Sequence, residues 1–168
     1  MTRTTIAVNA NDSITMKNNK TVIYTDGSCI HKKGGLGFVV ITNSEMGTGD
    51  KVDIVDKYAY PVPLDICTNQ IAELYAILSA IATVDGPLMI YSDSMYSIKS
   101  LTIWNKNWSK NGWKNSKGKP VANKEIIQSI LGLMAGRDIQ FKHVKAHNGD
   151  KYNEMADRLA NYGREMKV

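Results

Sequence analysis

The 168-residue chain has only two cysteines, Cys29 and Cys67, and no long apolar run. Two thiols are too few for the disulfide framework of a small secreted protein, and they fit a reducing compartment. No stretch approaches the roughly 18 consecutive apolar residues of a membrane span, and the N-terminus lacks the apolar segment of a secretory signal. We therefore expect a soluble, intracellular protein whose two cysteines have structural roles.

Acidic residues are absent between Lys99 and Lys124, although this window carries seven lysines. The whole chain has a formal net charge of +5, from 21 basic and 16 acidic side chains. Outside the window the chain has 14 basic and 16 acidic residues, so the excess of positive charge lies within the window. All three tryptophans, Trp104, Trp108 and Trp113, lie in the same window. Lysines interleaved with flat aromatic rings suit phosphates and sugar or base faces. This patch therefore favours nucleic-acid contact over a solvated helix whose tryptophans serve only the core.

Internal repeats and low-complexity tracts are also absent. A chain of 168 residues with 43% hydrophobic content can bury one sizeable core but is too short for two typical domains. Residues 1–19 show no sustained periodicity, which predicts a flexible N-terminal extension before a single domain at 20–168.

The apolar pattern of that domain alternates between strand and helix periods. The predicted strands are Lys20–Asp26, Gly37–Thr42, residues 52–60, Leu88–Ser92 and Ile139–Val144, and the predicted helices lie around residues 74–81, 96–101, 124–134 and 152–160. The resulting order, βββαβααβα, predicts an α/β fold with a mixed sheet whose faces are covered by helices.

Four carboxylates, Asp26, Glu73, Asp93 and Asp157, stand at informative places in this pattern. Asp26 and Asp93 each follow a run of buried-strand character, so both are expected at strand ends, where sites of α/β proteins collect. Glu73 and Asp157 lie at the margins of apolar helix stripes and can face inward. Each acid alone fits an ordinary surface charge or helix cap. Together they would repel one another unless cations bind, and hard oxygen ligands select Mg²⁺ or Mn²⁺ over zinc.

Five segments, in chain order, resemble the motifs of the ribonuclease H family, whose members cut RNA within RNA/DNA hybrids. They are Tyr24–Cys29, Thr68–Leu74, Tyr91–Ser94, His143–His147 and Asn153–Ala160. The segment Trp104–Lys124 resembles the basic protrusion of the eukaryotic-like, type 1 members. The match spans residues 20–163, and five ordered motifs are far more specific than any single one.

The resemblance implies a ribonuclease H-like fold, in which three antiparallel and two parallel strands form a five-stranded mixed sheet flanked by helices. It also implies a metal-dependent endonuclease, a hydrolase that cuts the RNA strand of hybrids largely without sequence preference and leaves 3′-hydroxyl and 5′-phosphate ends. The catalytic residues would be Asp26, Glu73, Asp93, His147 and Asp157. The four acids would hold two Mg²⁺ ions, with Mn²⁺ able to substitute, one activating a water for in-line attack and one stabilising the leaving 3′ oxygen.

The same resemblance assigns His147 to proton transfer or product release, which a histidine of near-neutral pKa can perform. His31 and His143 are expected to be structural or surface residues. The implied partner is an RNA/DNA hybrid duplex, with no membrane, and the protein is expected to be a monomer.

Selectivity for a hybrid requires reading the 2′-hydroxyl on one strand and its absence on the other. By resemblance, the RNA strand would be bound by Gly27, Ser28, Cys29, Asn69 and Gln70. The DNA strand would be bound by Thr68, Tyr96, Trp108, Ser116 and Asn123. The protrusion lysines, Lys106, Lys110, Lys114, Lys117 and Lys119, would follow backbone charge without reading sequence.

Two positions depart from the family pattern in ways that affect binding. Ile66 stands where members often carry an arginine in a pocket for a DNA phosphate, so the grip on the DNA strand is expected to be weaker. Lys32 lies near the position of an expected asparagine contact to RNA. Ile71 replaces a common arginine and Ala146 a common glycine, and neither change removes a metal ligand.

Two other functions remain open at this stage. One is a different nuclease or strand-transfer enzyme of the same wider fold, which would cut DNA-only substrates. The Thr68-Asn69-Gln70 motif and the Trp/Lys protrusion argue against it. The other is a non-catalytic hybrid-binding module, which would bind tightly without turnover in Mg²⁺. Four intact acids argue against that module, because a pure binder gains affinity by losing them.

Overall fold

A computed structural model describes residues 2–7, 20–45 and 47–166. Its elements are β1 (Thr2–Ala7), β2 (Thr21–Ile30), β3 (Lys33–Glu45), β4 (Lys51–Pro61), α1 (Asn69–Thr83), β5 (Leu88–Ser92), α2 (Met95–Lys99), a π-helical turn (Ser100–Trp104), α3 (Asn105–Lys110), α4 (Lys124–Met134), β6 (Ile139–His143) and α5 (Lys151–Glu165). Within these ranges, no helix combines the length and the apolar character required to cross a bilayer.

The strands form one mixed sheet in the order β1-β4-β3-β2-β5-β6. The pairs β2/β3 and β3/β4 are antiparallel, whereas β2/β5 and β5/β6 are parallel. The five predicted strands and their mixed arrangement are therefore confirmed. The parallel pairs require crossovers, which α1 and the helical region between β5 and β6 supply.

The segment Thr2–Ala7 corrects one expectation, because it forms a sixth strand instead of belonging wholly to a flexible extension. It pairs antiparallel with β4, from Thr2 opposite Lys57 to Ala7 opposite Val52. Three threonines and one isoleucine in six residues give it a β-branched composition, and the free edge of β4 offers unpaired backbone groups. No apolar alternation signals this strand in the sequence. Residues 8–19 of the predicted extension lie outside the described residues.

Two core layers lie on opposite faces of the sheet, because successive strand residues point to opposite sides. On one face, α1 and α4 pack against Ile23, Phe38 and Ile90. On the other face, α5 packs against Val22, Tyr24 and neighbouring residues of β3 and β4. The sheet therefore holds α1 and α5 on its two sides, and these helices carry two of the four predicted acids.

Glycines set how closely these helices approach the sheet. A Cβ atom at Gly27 of β2 would lie 2.3 Å from main-chain atoms of Ala72 and Glu73 in α1. At Gly37 of β3, it would lie 2.5 Å from the main-chain nitrogen of Ala160 in α5. Real Cβ atoms do not tolerate such distances, so both helices rest directly on strand backbone. This contact brings Glu73 next to the strand that carries Asp26.

Candidate active site

Asp26 and Asp93 emerge side by side because β2 and β5 are parallel and in register. Tyr24 pairs with Tyr91, and each acid lies two residues further along its own chain. Together with Glu73 they form a cluster in which one ligand oxygen from each side chain lies within 4.8 Å of the others. The structure therefore brings together three of the four acids that the sequence pattern singled out.

Glu73 reaches this cluster from the second turn of α1. Thr68 caps the helix, and its hydroxyl accepts a hydrogen bond from the Ile71 amide at 3.2 Å. The cap fixes the start of the helix, and Gly27 allows the turn around Glu73 to lie against β2. The Glu73 Oε2 atom is buried and has no hydrogen-bond partner.

Asp157 approaches the cluster from the opposite face of the sheet, on α5. Asp150 caps this helix by accepting hydrogen bonds from the amides of Tyr152 and Asn153, at 3.1 and 3.0 Å. The Asp157 carboxylate interacts with the Asp26 side chain, and its negative charge also acts on Asp93. The fourth predicted acid therefore lies next to the cluster, although it is not one of the three that meet most closely.

Burial and mutual repulsion raise the pKa values of Asp26, Glu73 and Asp93. Burial raises the pKa of Asp26 to about 7; a hydrogen bond with Glu73 partly offsets this, whereas the charges of Asp93 and Asp157 add to it. The pKa of Glu73 is held well above its usual range, first by burial and then by the charge of Asp26. Burial and the charge of Asp157 also raise the pKa of Asp93. The cluster therefore favours bound protons or cations.

These properties match the requirements of a hard divalent cation. The available donors are carboxylate oxygens, which Mg²⁺ and Mn²⁺ prefer over the nitrogen and sulfur ligands typical of zinc. One of them, Glu73 Oε2, is a buried acceptor that no protein donor satisfies. A bound cation would satisfy this atom and neutralise the repulsion. The residues present therefore fit a divalent metal.

Two histidines from the segment after β5 face Asp93. His147 lies in the exposed loop before α5 with a positive φ of 53°, and a positive charge on it would lower the pKa of Asp93. The ring Nε2 of His143 lies 3.2 Å from the Asp93 main-chain oxygen. His143 was expected to be structural or a surface residue, and it is exposed but in contact with the site. His143 reaches Asp93 because it pairs with Ser92 across β5 and β6. The sequence does not show this register, so it could not predict the contact.

The residues assigned to the RNA strand lie along β2 and the start of α1. The Asn69 side-chain oxygen accepts a hydrogen bond from the Cys29 amide at 3.2 Å, which ties α1 to the end of the first motif. Gly27 and Ser28 continue the same strip towards Asp26, and Gln70 is exposed beside Asn69. The structure therefore places these five residues on one continuous strip next to the acids.

A polar row on α5, absent from the sequence prediction, extends this strip. Asp157, Asn161 and Arg164 are spaced i, i+4 and i+7 and so share one helix face. The Ser28 hydroxyl donates to Asn161 Oδ1 at 2.8 Å, and the Arg164 guanidinium donates to both Ser28 Oγ and Asn161 Oδ1. These hydrogen bonds hold α5 against β2 on the C-terminal side of Asp157. The spacing along α5 indicates in the sequence that the three side chains share a face, but it does not indicate which strand that face contacts.

The residues assigned to the DNA strand gather around a row of aromatic rings. Tyr96, Trp104, Trp108 and Trp113 follow one another at ring-centroid distances of 6.0, 6.0 and 5.8 Å. The Tyr96 hydroxyl accepts a hydrogen bond from the Asn123 side-chain nitrogen Nδ2 at 3.0 Å. Tyr96, Trp108 and Asn123 are therefore held together, and the row packs against the core at several points.

The protrusion carries the lysines on its outside. Lys106, Lys110, Lys114, Lys117 and Lys119 are all exposed. A short bridge between Lys114 and Pro120 closes its turn, and the Trp113 amide donates to the Trp108 carbonyl at 2.7 Å. Ser116 lies on this exposed turn, and none of the described hydrogen bonds joins it to Tyr96 or Asn123. The aromatic row thus belongs to both core and protrusion.

Both departures from the family pattern are visible in the structure. Ile66 is 66% exposed and leaves this part of the surface without the expected positive charge. A cleft of about 190 Å³ nearby in sequence is lined mainly by apolar side chains, together with Asn123 and Glu125. Lys32 lies at the exposed tip between β2 and β3 with a φ of 63°.

Comparison with known proteins agrees with this arrangement. The family model described as RNase H matches residues 18–165 of the chain. A ribonuclease H of Neorickettsia sennetsu is 35% identical over 147 residues, which cover 83% of this chain and 89% of that protein. A ribonuclease H of Tropheryma whipplei is 40% identical over 149 residues, which cover 86% of this chain and 84% of that protein.

A solved structure shares the fold as well. It is a foamy viral protease-reverse transcriptase in complex with an RNA/DNA hybrid, which matches with a TM-score of 0.70 and 26% identity over 92% of this chain and 22% of that chain. The five ordered motifs, the mixed sheet and the family match over nearly the whole chain agree with one another. The chain therefore belongs to the ribonuclease H family, as a member of type 1.

Proposed function

We propose that this protein hydrolyses the RNA strand of RNA/DNA hybrids, as a metal-dependent endonuclease that leaves 3′-hydroxyl and 5′-phosphate ends. The observation that carries the proposal is the convergence of Asp26, Glu73 and Asp93 within 4.8 Å, with Asp157 beside them. Family membership supplies the reaction class, and the protrusion supplies a cationic surface for a nucleic-acid backbone.

In this proposal Asp26, Glu73, Asp93 and Asp157 bind two Mg²⁺ ions, and Mn²⁺ can substitute for them. When bound, such cations activate a water and stabilise charge on the phosphate oxygens. The protein's own contribution is position, because β2, α1 and α5 each carry one carboxylate and the fourth, Asp93, directly follows β5. His147, on the loop that faces Asp93, moves a proton at the leaving oxygen or helps the product to leave.

The strip Gly27, Ser28, Cys29, Asn69 and Gln70 binds the RNA strand in this proposal. The exposed side-chain amides of Asn69 and Gln70 can hydrogen-bond 2′-hydroxyls, which the DNA strand lacks. Tyr96 and Trp108 offer ring faces for deoxyribose, with Thr68, Ser116 and Asn123 near the DNA phosphates. The foamy viral relative was solved with an RNA/DNA hybrid, which supports the same substrate class here. Monomeric state stays a prediction, which sedimentation of the metal-loaded protein would test.

The decisive experiment offers the protein an end-labelled RNA/DNA hybrid, a matching RNA duplex and a matching DNA duplex, each with Mg²⁺ and with EDTA. We expect cleavage of the RNA strand of the hybrid only, at many positions, and no cleavage in EDTA. Equal cleavage of the DNA duplex would instead indicate a nuclease of the wider fold. Hybrid binding without cleavage in Mg²⁺ would indicate a pure binding module.

The protrusion should contribute affinity and little chemistry. Lys114 is exposed and its backbone is held by the bridge to Pro120, so its ammonium group is well placed to contact a phosphate. We expect Lys114→Gln to raise KM about 3–10-fold, to leave kcat unchanged, and to reduce the slope of log affinity against log salt by about 1. Steady-state kinetics and binding at several salt concentrations measure these effects.

The matched control is Lys51→Gln, since Lys51 is exposed at the start of β4, outside the protrusion. The control removes the same charge and should leave both KM and the salt slope unchanged. Equal effects of the two substitutions would assign the binding to net charge alone and would remove the protrusion from the proposal.

A further inference from the structure

The two cysteines, 38 positions apart in sequence, meet between β2 and the segment that leads into α1. The Cys29 thiol donates to the Cys67 main-chain oxygen at 2.9 Å, and the Cys67 thiol donates to the Thr68 main-chain oxygen at 3.3 Å. The two thiols also interact electrostatically with each other. Both cysteines are reduced. Their sulfur atoms are therefore neighbours.

Gly34 explains why Cys67 fits beside Cys29. In the antiparallel pair of β2 and β3, Cys29 lies directly opposite Gly34, so their side-chain positions share one face of the sheet. A Cβ atom at Gly34 would lie 2.4 Å from Cys67 Sγ and 3.1 Å from Cys67 Cβ. Cys67 thus occupies the cross-strand position that a side chain at residue 34 would fill. Cross-strand neighbours have Cβ atoms about 4.5–5.5 Å apart, and a disulfide spans about 3.5–4.5 Å, so a small shift of the Cys67 side chain would bring the two sulfur atoms within bonding range.

The two thiols differ in access. Cys67 is buried, whereas Cys29 is half-buried. Burial raises the pKa of the Cys67 thiol to about 11, and the charge of Cys29 adds to this effect. Next to them, a cleft of about 490 Å³ is lined by His31, Lys32, Lys33 and Gly34 on one side and by residues 61–65 on the other. Three of the lining residues are basic or imidazole side chains and one, Asp65, is acidic, so the lining as a whole favours a negatively charged reagent.

We propose that Cys29 and Cys67 form a modification site, at which a small anionic disulfide such as glutathione disulfide converts the two thiols into an internal disulfide. The two sulfur atoms lie close enough to pair, and the absence of a side chain at Gly34 leaves room for Cys67 beside Cys29. The basic cleft next to Gly34 lets the reagent approach. Cys29 also belongs to the strip proposed to bind the RNA strand, but the inference does not depend on the proposed catalytic function.

The chemistry is two successive exchanges. The Cys29 thiolate attacks one sulfur of glutathione disulfide, which forms a mixed disulfide on Cys29 and releases one glutathione thiolate. The Cys67 thiol then loses its proton and attacks the Cys29 sulfur, which forms the Cys29–Cys67 bond and releases the second glutathione thiolate. The two protein protons end on the two released glutathiones, and the two electrons from the protein sulfurs reduce the reagent. Once the mixed disulfide forms, the charge on Cys29 that disfavoured the Cys67 thiolate is gone.

The test incubates the folded, full-length protein with glutathione disulfide, blocks free thiols, and measures intact mass and peptide maps. We expect one monomer that has lost about 2 Da, carries no glutathione and yields a linked peptide containing both cysteines. Closing a loop of about 40 residues should also raise Tm by roughly 5–10 °C, reversed by dithiothreitol. These readouts are independent of nuclease activity, so they stand or fall separately from the proposed function.

Single substitutions show the order of the two steps. Cys67→Ser should accumulate a stable glutathione adduct on Cys29, because the second thiol is missing. Cys29→Ser should stay unmodified as long as it is folded, because Cys67 is buried. Circular dichroism reports whether each variant folds. If a variant does not fold, the peptide map of the oxidised wild-type protein still shows whether the Cys29–Cys67 disulfide forms. A stable mixed disulfide on the wild-type protein, a disulfide between two chains, or no reaction would each overturn the proposal.

Discussion

Asp26→Asn is expected to lower kcat for hybrid cleavage by at least about 10³-fold while hybrid affinity stays within a few-fold. Asp26 is 4% exposed and contacts Glu73 and Asp157, so it is the acid most enclosed by the others. An amide keeps the shape but loses the negative charge that holds cations. Single-turnover kinetics in Mg²⁺ and hybrid binding in Ca²⁺ separate the two effects.

The same substitution should stabilise the metal-free protein at neutral and higher pH. Asp26 has an ordinary pKa of 3.8 and a folded-state pKa of about 7. Below pH 4 both states keep the proton. As the pH rises from about 4 to 7, the unfolded chain releases its proton first, so the free energy of unfolding falls, and above pH 7 this deficit is constant. Asn carries no titrating proton, so it removes a deficit on the order of 2–4 kcal/mol.

We therefore expect Asp26→Asn to raise Tm by about 5–10 °C in EDTA at pH 8, with the gain shrinking towards pH 4. Calorimetry across this pH range measures it. Asp85→Asn makes the same chemical change at an exposed site and should leave Tm nearly constant at every pH. Mg²⁺ should raise Tm of the wild-type protein more than that of Asp26→Asn. A variant that melts below wild type at pH 8 would contradict the assignment of a strained acid cluster.

Gly27→Ala should damage both folding and catalysis through a single methyl group. The new Cβ would lie 2.3 Å from the main chain at Ala72 and Glu73, and backbone cannot move aside as a side chain can. We expect a loss of about 3 kcal/mol in the free energy of unfolding. The displaced helix would carry Glu73 away from Asp26, and a shift of about 1 Å at a reacting centre can cost about 10²-fold in kcat. Urea unfolding and kinetics below the lowered Tm measure the two losses.

Gly132→Ala is the matched control, because Gly132 lies inside α4 and has no atom within 4 Å of its Cβ position. Alanine there removes a helix-interior glycine, so the control should be neutral or stabilise the protein by up to about 1 kcal/mol. If Gly27→Ala folds as well as the control and retains wild-type kcat, α1 does not depend on this close approach.

The sequence predicted those strands and helices whose spacing of apolar residues is visible within the segment itself. The strand runs, the α1 stripe and the α5 stripe all bury one face, so their periods follow directly from their own residues. The acids were predictable because two of them follow buried strand runs and two border apolar stripes. Their convergence was an expectation from pattern and resemblance, and the parallel register of Tyr24 with Tyr91 gives it a structural basis. Their roles as metal ligands stay predictions until the variants are measured.

The parts that could not be predicted depend on partners distant in sequence. The strand Thr2–Ala7 has no apolar alternation, and it pairs because β4 offers a free edge. The contact of His143 with the Asp93 carbonyl requires the β5/β6 register, and the row from Ser28 to Arg164 joins residues 136 positions apart. The neighbouring cysteines depend on the missing side chain of Gly34 in the same way.

The hydrogen bond from the Cys29 amide to Asn69 has an evolutionary consequence. It joins β2, which carries Asp26, to α1, which carries Glu73, and both bonded residues are among those proposed to bind RNA. RNA recognition and catalysis therefore depend on the same rigid unit, so a change in one affects the other. The protrusion instead connects to the domain through a row of tilted aromatic rings and presents its lysines outward. Mutations that lengthen, shorten or recharge the protrusion can therefore change affinity for a nucleic-acid backbone while the acids and the RNA-facing groups stay in place.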